Sequence, residues 1–294
     1  MKKYFITIMI LLFGALSLSA CQKDDEVENP SPPKVDLKNE IPIILIHGSG
    51  GDTHSLDEMA DHLMNKYKSS NEAMSMSINS NGKIAYQGEL TKDAKRPIIK
   101  LGFEQTLATP ENWSKWLKIA MEDLKLRYGF TQMDGVGHSN GGLALTYFAE
   151  GYSNDNAVPT LRKLVAIGSP FNDLDPDDNG DDLAFKQLPA NTPQLDYFIN
   201  KATEINPDLE VLSIAGALSE DNLTDGIVPT NSSLASRLFM PNNAKVYMED
   251  LQVGESAVHQ TLHETPESIE KTHWFLEKSS PEKKEIKLIS KQEE

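Results

Sequence analysis

Between residues 41 and 278 the apolar positions fall into two alternating patterns. Short continuous runs are followed by longer stretches with an apolar residue every third or fourth place. Residues 41–46, Ile-Pro-Ile-Ile-Leu-Ile, are apolar and mostly β-branched, which predicts a strand buried on both faces, as in a parallel sheet. Leu56, Met59, Ala60, Leu63, Met64 and Tyr67 then recur at helical spacing. Residues 74–78 and 83–87 flank Asn79-Ser80-Asn81-Gly82, where Asn-Gly supplies the positive φ angles of a tight hairpin turn. Further strands are predicted at 98–103, 130–136, 164–167, 211–215 and 245–248. Thr109-Pro110-Glu111 opens a helix with a cap, a rigid first residue and an acid on the dipole. Its stripe runs from Trp113 through Trp116, Leu117, Ala120, Met121 and Leu124, and Gly129 closes it. Thr192-Pro193-Gln194 and Thr265-Pro266-Glu267 repeat the same start signal. Strands alternating with helices predict an α/β fold: a mostly parallel sheet of about eight strands, covered by helices on both faces. Reactive groups on such a sheet belong in the loops at the carboxyl ends of its strands.

The ends of the chain read differently. Met1-Lys2-Lys3 precedes an apolar run over residues 5–20, which has the length of a signal h-region and is short for a spanning helix. It ends in Leu18-Ser19-Ala20-Cys21, which resembles the lipobox of bacterial lipoproteins. That resemblance implies cleavage before Cys21 and acylation of its thiol and new amino terminus, with several chains giving stable anchoring. Residues 1–20 are therefore assigned to a lipoprotein signal peptide, and 21–40 to the lipidated Cys21 and a disordered tether. The stretch after Cys21 is acidic, proline-containing and poor in apolar residues. Its reach, about 25 Å by random-coil scaling, would hold a domain just off a membrane. The folded body spans 41–278. Residues 279–294, in which charges of both signs mix, are predicted to be a frayed tail or short exposed helix.

Composition narrows the field further. The chain has 294 residues, with 28 Lys and Arg against 44 Asp and Glu, a formal charge of −16. That balance excludes a nucleic-acid partner, which needs a basic face, and excludes basic-patch docking on anionic lipid. With one cysteine, the chain has neither an internal disulfide nor a cysteine-based zinc cluster.

Gly137-His138-Ser139-Asn140-Gly141 matches G-x-S-x-G and falls between a predicted strand and a predicted helix. A strand turning sharply into a helix crowds its neighbours, so the positions two before and two after the serine must be glycine. The Ser139 hydroxyl is then left exposed at the positive end of a helix. His47-Gly48-Ser49-Gly50-Gly51 follows the first buried strand. Acyl transfer requires donors for a developing oxyanion, and backbone N–H groups serve without ordering a side chain. The Ser49 and Asn140 N–H groups are assigned to that oxyanion hole. The same loop would be a phosphate cradle in another context, but the G-K-[ST] ending and the G-x-G-x-x-G spacing are lacking.

These segments resemble α/β-hydrolases, and within them the uncharacterised cell-surface hydrolase lipoproteins of Gram-positive bacteria. The residues that carry the likeness are Ile43 to Gly51, the Gly-His-Ser-Asn-Gly-Gly elbow, Gly168-Ser169-Pro170-Phe171-Asn172 and Asp225-Gly226-Ile227-Val228-Pro229. The resemblance implies the α/β-hydrolase fold and a Ser…Asp…His order. Asp225 follows the strand at 211–215 and is the expected acid, with Asp221 its rival. The base must follow the strand at 245–248, where His259 and His263 both qualify. In related lipases the histidine has a hydrophobic residue three places on, as His259 has in Leu262. The expected catalytic residues are Ser139, Asp225 and His259, acting without cofactor or metal. His138 is expected to point into the sheet. The implied activity is ester cleavage, on a small-molecule or lipid ester, by an enzyme anchored to the cell membrane through Cys21. A thioesterase, amidase or acyltransferase on the same fold, or an inactive binding lipoprotein, are the alternatives.

Two further stretches carry expectations. Asp175-Pro176-Asp177-Asp178-Asn179-Gly180 resembles the opening of a calcium loop, but Lys186 stands where the twelfth-position glutamate belongs, so it reads as a solvated acidic loop. Residues 171–207 are long for a connection and predict a small cap insertion near the cleft, with Leu195, Phe198 and Ile199 lining it or packing on the sheet.

Overall fold

The computed structural model describes residues 35–278 together with Lys287 and Leu288. The signal segment, Cys21, the first part of the tether and the rest of the tail lie outside the described residues.

The strands are β1 (Ile43–Ile46), β2 (Ala73–Ile78), β3 (Ile84–Gln87), β4 (Ile98–Phe103), β5 (Gln132–His138), β6 (Thr160–Ile167), β7 (Glu210–Ala217), β8 (Val246–Val253) and β9 (Lys287–Leu288). They form one sheet in the order β3-β2-β4-β1-β5-β6-β7-β8-β9, parallel throughout except for β3 against β2. The hairpin joining β2 and β3 turns at Asn79, whose Oδ1 accepts from the Asn81 and Lys83 N–H groups at 3.0 Å each. Gly82 in that turn has φ 78°.

Helices cover both faces: α1 (Asp57–Asp61), which runs on into a π turn at His62–Lys66, α2 (Pro110–Tyr128), α3 (Asn140–Tyr152), α4 (Pro176–Asn179), α5 (Pro193–Lys201), α6 (Thr230–Leu234), α7 (Met240–Asn243) and α8 (Pro266–Glu277). The three Thr-Pro signals work as expected. Thr109, Thr192 and Thr265 accept from the N–H three residues on, at 3.3, 3.3 and 3.1 Å. Central β1 shows why its sequence is apolar throughout. Ile44 and Ile46 join the core with Trp113, Leu117 and Leu145, under α2 and α3, whereas Ile43 and Leu45 join Met59, Leu63 and Phe275, under α1 and α8. Among the described residues no helix is long and apolar enough to cross a membrane.

Several boundaries differ from the sequence reading. Packing starts inside the predicted tether: Leu37 is buried and its N–H bonds the Tyr128 carbonyl at 2.7 Å. Strands β6, β7 and β8 all extend beyond their apolar runs. Lys287 and Leu288, placed in the tail, pair with Met248 and Glu249 as an edge strand. In the insertion, Leu195 and Phe198 are buried in the core beside α3, and Ile199 is partly exposed. Only the start of that insertion, at Leu174, reaches the cleft. The fully buried Asn172 holds the insertion together: its Nδ2 donates to the carbonyls of Asp178 and Ala190, at 3.3 and 2.9 Å, and its Oδ1 accepts from Thr192 N–H at 2.8 Å. The acidic stretch forms α4, capped by the Asp175 carboxylate on Asp177 N–H at 2.9 Å.

Candidate active site

Strand β5 ends at His138 and α3 begins at Asn140, so Ser139 alone makes the turn. Its backbone sits at φ 52°, ψ −124°, a left-handed conformation that side-chain-bearing residues rarely adopt and that costs about 1–3 kcal/mol. The surroundings over-determine it. Ser139 N–H donates to the Ile167 carbonyl at 2.8 Å, and Gly142 N–H donates to the Ser139 carbonyl at 3.1 Å. A Cβ on Gly137 would overlap the Gly141–Gly142 backbone, and one on Gly141 would stand 2.5 Å from the Ile46 carbonyl oxygen. The two glycines of the motif are therefore required by close approach, within the elbow and to β1.

Ser139 opens onto a cleft of about 600 Å³. His259 Nε2 lies 3.1 Å from Ser139 Oγ. On the other side of the ring, His259 Nδ1 lies 2.7 Å from Asp225 Oδ2. Because a carboxylate only accepts, the ring proton belongs on Nδ1, which leaves Nε2 free to accept from the serine hydroxyl. Asp225 is fully buried, and its second oxygen accepts from the N–H groups of Ile227 and Val228 at 3.0 and 2.7 Å. This explains the Asp-Gly-apolar-apolar sequence: Gly226, at φ 95°, turns the chain so that two amides face the acid. The His259 N–H donates to the Asp225 carbonyl at 2.8 Å, so the two loops are joined by backbone as well as side chain. Asp221, the rival acid, lies in the exposed stretch before Asp225.

His263 is not at the serine. Its Nε2 bonds the Ser55 carbonyl at 2.8 Å, and its ring packs against His138 with centroids 4.3 Å apart and planes tilted by 36°. His138 also departs from expectation. It lines the cleft, packs 4.8 Å from the His259 ring, and its Nε2–H donates to the His259 carbonyl at 2.9 Å. Burial pushes His138 well below the usual imidazole value, and the neighbouring His263 and His259 add to this. Burial lowers His263 as well. Both are thus neutral packing partners that fix the loop carrying His259. The sequence signal for this role was only the histidine inside the elbow, which local spacing cannot aim.

Ser49 and Asn140 both line the cleft, and their side chains are joined, Asn140 Nδ2 donating to Ser49 Oγ at 2.6 Å. Asn140 is the first residue of α3, where N–H groups have no partner within the helix. His47 holds the glycine loop from behind: its Nδ1–H donates to the Gly48 carbonyl at 2.7 Å, and its Nε2 accepts from Phe103 N–H at 3.0 Å. The structure therefore brings Ser139, His259, Ser49 and Asn140 to one cleft, with Asp225 buried behind His259. Among the described residues no group of histidine, cysteine and carboxylate side chains is arranged to hold a metal.

Comparison with known proteins agrees with this architecture. A crystal structure of a gene product from Listeria innocua is 75% identical, covers 85% of this chain and 98% of its own, and superposes with a TM-score of 0.83. A protein from Lactobacillus plantarum, named a presumptive cell surface hydrolase, is 23% identical over 82% of this chain and 94% of its own, with a TM-score of 0.66, and so shares the fold. No curated protein matches the chain. The model of the α/β-hydrolases of unknown function known as DUF915 matches residues 30–279, and the chain belongs to that family.

Proposed function

We propose that the protein is a serine hydrolase that cleaves carboxylic esters outside the cytoplasm, held at the membrane by lipidated Cys21. The observation that carries this reading is the aligned contact from Asp225 through His259 to Ser139, with the serine oxygen open to the cleft. In the proposed reaction His259 takes the Ser139 proton as the oxygen attacks the ester carbonyl, and Asp225 holds the ring tautomer and stabilises the imidazolium. The Ser49 and Asn140 amides hold the oxyanion. The alcohol leaves with the proton carried by His259. Water then attacks the acyl-enzyme by the same route and releases the acid. The extracytoplasmic placement rests on the lipobox-like end of the signal segment and on the name of the Lactobacillus plantarum relative.

A fluorophosphonate probe tests the chemistry. Labelling of the native chain that vanishes in Ser139→Ala is the expected result, together with hydrolysis of short p-nitrophenyl esters. A folded native chain that takes no label removes the enzyme reading and leaves a binding lipoprotein. Anchoring is tested separately: radiolabelled palmitate should enter the native chain and not Cys21→Ser.

A further inference from the structure

The cleft above Ser139 has two chemically different walls. The loops after β6 and β7 supply Pro170, Leu174, Ile227 and Val228, an entirely apolar surface. Leu174 and Ile227 remain 45% and 42% exposed at its edge. The loops after β1 and β8, tied together by the His263–Ser55 bond, bring the polar Ser55, Gln260 and Glu264 to the same cleft. Among the described residues that line the cleft, Glu264 is the one carboxylate, and Lys and Arg are absent. Its side chain is 43% exposed, and the cation-forming group nearest to it, His263 at 3.7 Å, is kept neutral by burial.

The reaction decides which part of a substrate meets which wall. His259 delivers its proton to the leaving oxygen, so the leaving alcohol must lie on the side of His259, next to residues 260–264. The acyl chain is then turned toward Leu174 and Ile227, where burying aliphatic carbon is favourable. Building on the esterase reading above, we propose that the substrate is an ester of an aliphatic acid with a cationic or uncharged alcohol. Glu264 is the specificity residue that sets the order cationic, then uncharged, then anionic. The reaction balances without a co-reactant: the ester and one water give the alcohol and the acid. A cation at the Glu264 carboxylate gains a Coulomb attraction that an anion meets as repulsion.

The test compares three butyrate esters at a pH-stat with the full chain in detergent: the choline ester, its uncharged 3,3-dimethylbutyl isostere, and the ester of 3-hydroxypropionate. Each kcat/KM is divided by that of the isostere within the same protein, and native and Glu264→Gln ratios are compared, which removes intrinsic ester reactivity. The choline ratio should fall about five-fold in Glu264→Gln and the anionic ratio should rise about five-fold, as for a charge pair near 4 Å in a largely aqueous setting. Glu264→Lys should reverse the order, and 0.5 M salt should shrink the native spread. Ratios unchanged in both variants overturn the proposal. Fluorophosphonate labelling of Ser139 separates the two levels of failure: flat ratios with a labelled serine sink the specificity alone, and an unlabelled serine sinks the esterase reading with it.

Discussion

Glu150 offers the sharpest quantitative test of the packing between α3 and the helical insertion. It lies on α3 at 4% exposure, and among the described residues neither carboxylate oxygen has a hydrogen-bond partner. Burial raises its pKa from 4.5 to about 9, with Lys201 pulling only partly the other way. The folded state therefore keeps a proton that the unfolded chain loses near pH 4.5. Stability must fall as pH rises from the unfolded value to the folded one, by about 1.4 kcal/mol per pH unit. At pH 7 the accumulated penalty is about 3 kcal/mol. Glu150→Gln keeps the shape and removes the proton exchange. Its stability should equal that of the native protein at pH 4 and exceed it by about 3 kcal/mol at pH 7, a melting-temperature gap of roughly 10 °C for a domain of this size. Calorimetric melts of both proteins at pH 4, 5, 6, 7 and 8 measure the gap directly. Two parallel curves would refute the reasoning, because they would mean that Glu150 is solvated or paired in the folded state.

Three further outcomes follow from the site and its supports. Asp225→Asn keeps the bulk of the acid but not the acceptor that sets the His259 tautomer, so kcat on p-nitrophenyl butyrate should drop about 10⁴-fold while the melting temperature stays near native; a loss below ten-fold contradicts the assigned role. Gly141→Ala puts a methyl group 2.5 Å from the Ile46 carbonyl oxygen, and because backbone on both sides must move, urea unfolding should show a loss above about 3 kcal/mol; a native midpoint defeats the close-approach argument. Asn172→Ala leaves the Thr192 N–H and the Ala190 and Asp178 carbonyls without their partner, so about 2–4 kcal/mol should be lost, with proteolytic nicking confined to residues 173–191; uniform cleavage elsewhere speaks against a local tie.

How much was legible depends on how locally each feature is determined. The β2–β3 hairpin, the three Thr-Pro helix starts and the serine elbow are each fixed by residues within a few places of one another, and each is readable from order alone. Strand ends are less so, because buried charge mimics a loop. The start of β6 contains Arg162 and Lys163, which look solvated. In the fold Arg162 grips the buried Asp134, and Lys163 Nζ donates to the carbonyls of Phe275 and Lys278 at 2.7 and 2.6 Å, capping the end of α8. The tail of β8 hides in the same way: Glu249 is paired with Arg237 and Asp250 with Lys271. Polarity marks a residue as loop only when no partner waits for it, and the partners here lie far off in sequence.

The same distinction runs through the candidate site and explains why spacing left two histidines open. Ser139 is presented by its own turn, so its exposure needs no distant partner. The choice between His259 and His263 is instead made by contacts across the sheet edge. Asp225 captures His259 twice, by carboxylate and by backbone carbonyl. His263 is drawn away by the Ser55 carbonyl, and His138 fills the space between the two rings. Two histidines four residues apart lie on one turn of chain and look interchangeable in sequence. What separates them is that a buried imidazole must satisfy both nitrogens, and only His259 finds an acceptor on one side and a hydroxyl on the other. The buried Nδ1 of His263, left without a partner among the described residues, is the residue of that competition. It marks the second histidine as a wedge against His138 and leaves the first as the imidazole that faces the Ser139 hydroxyl.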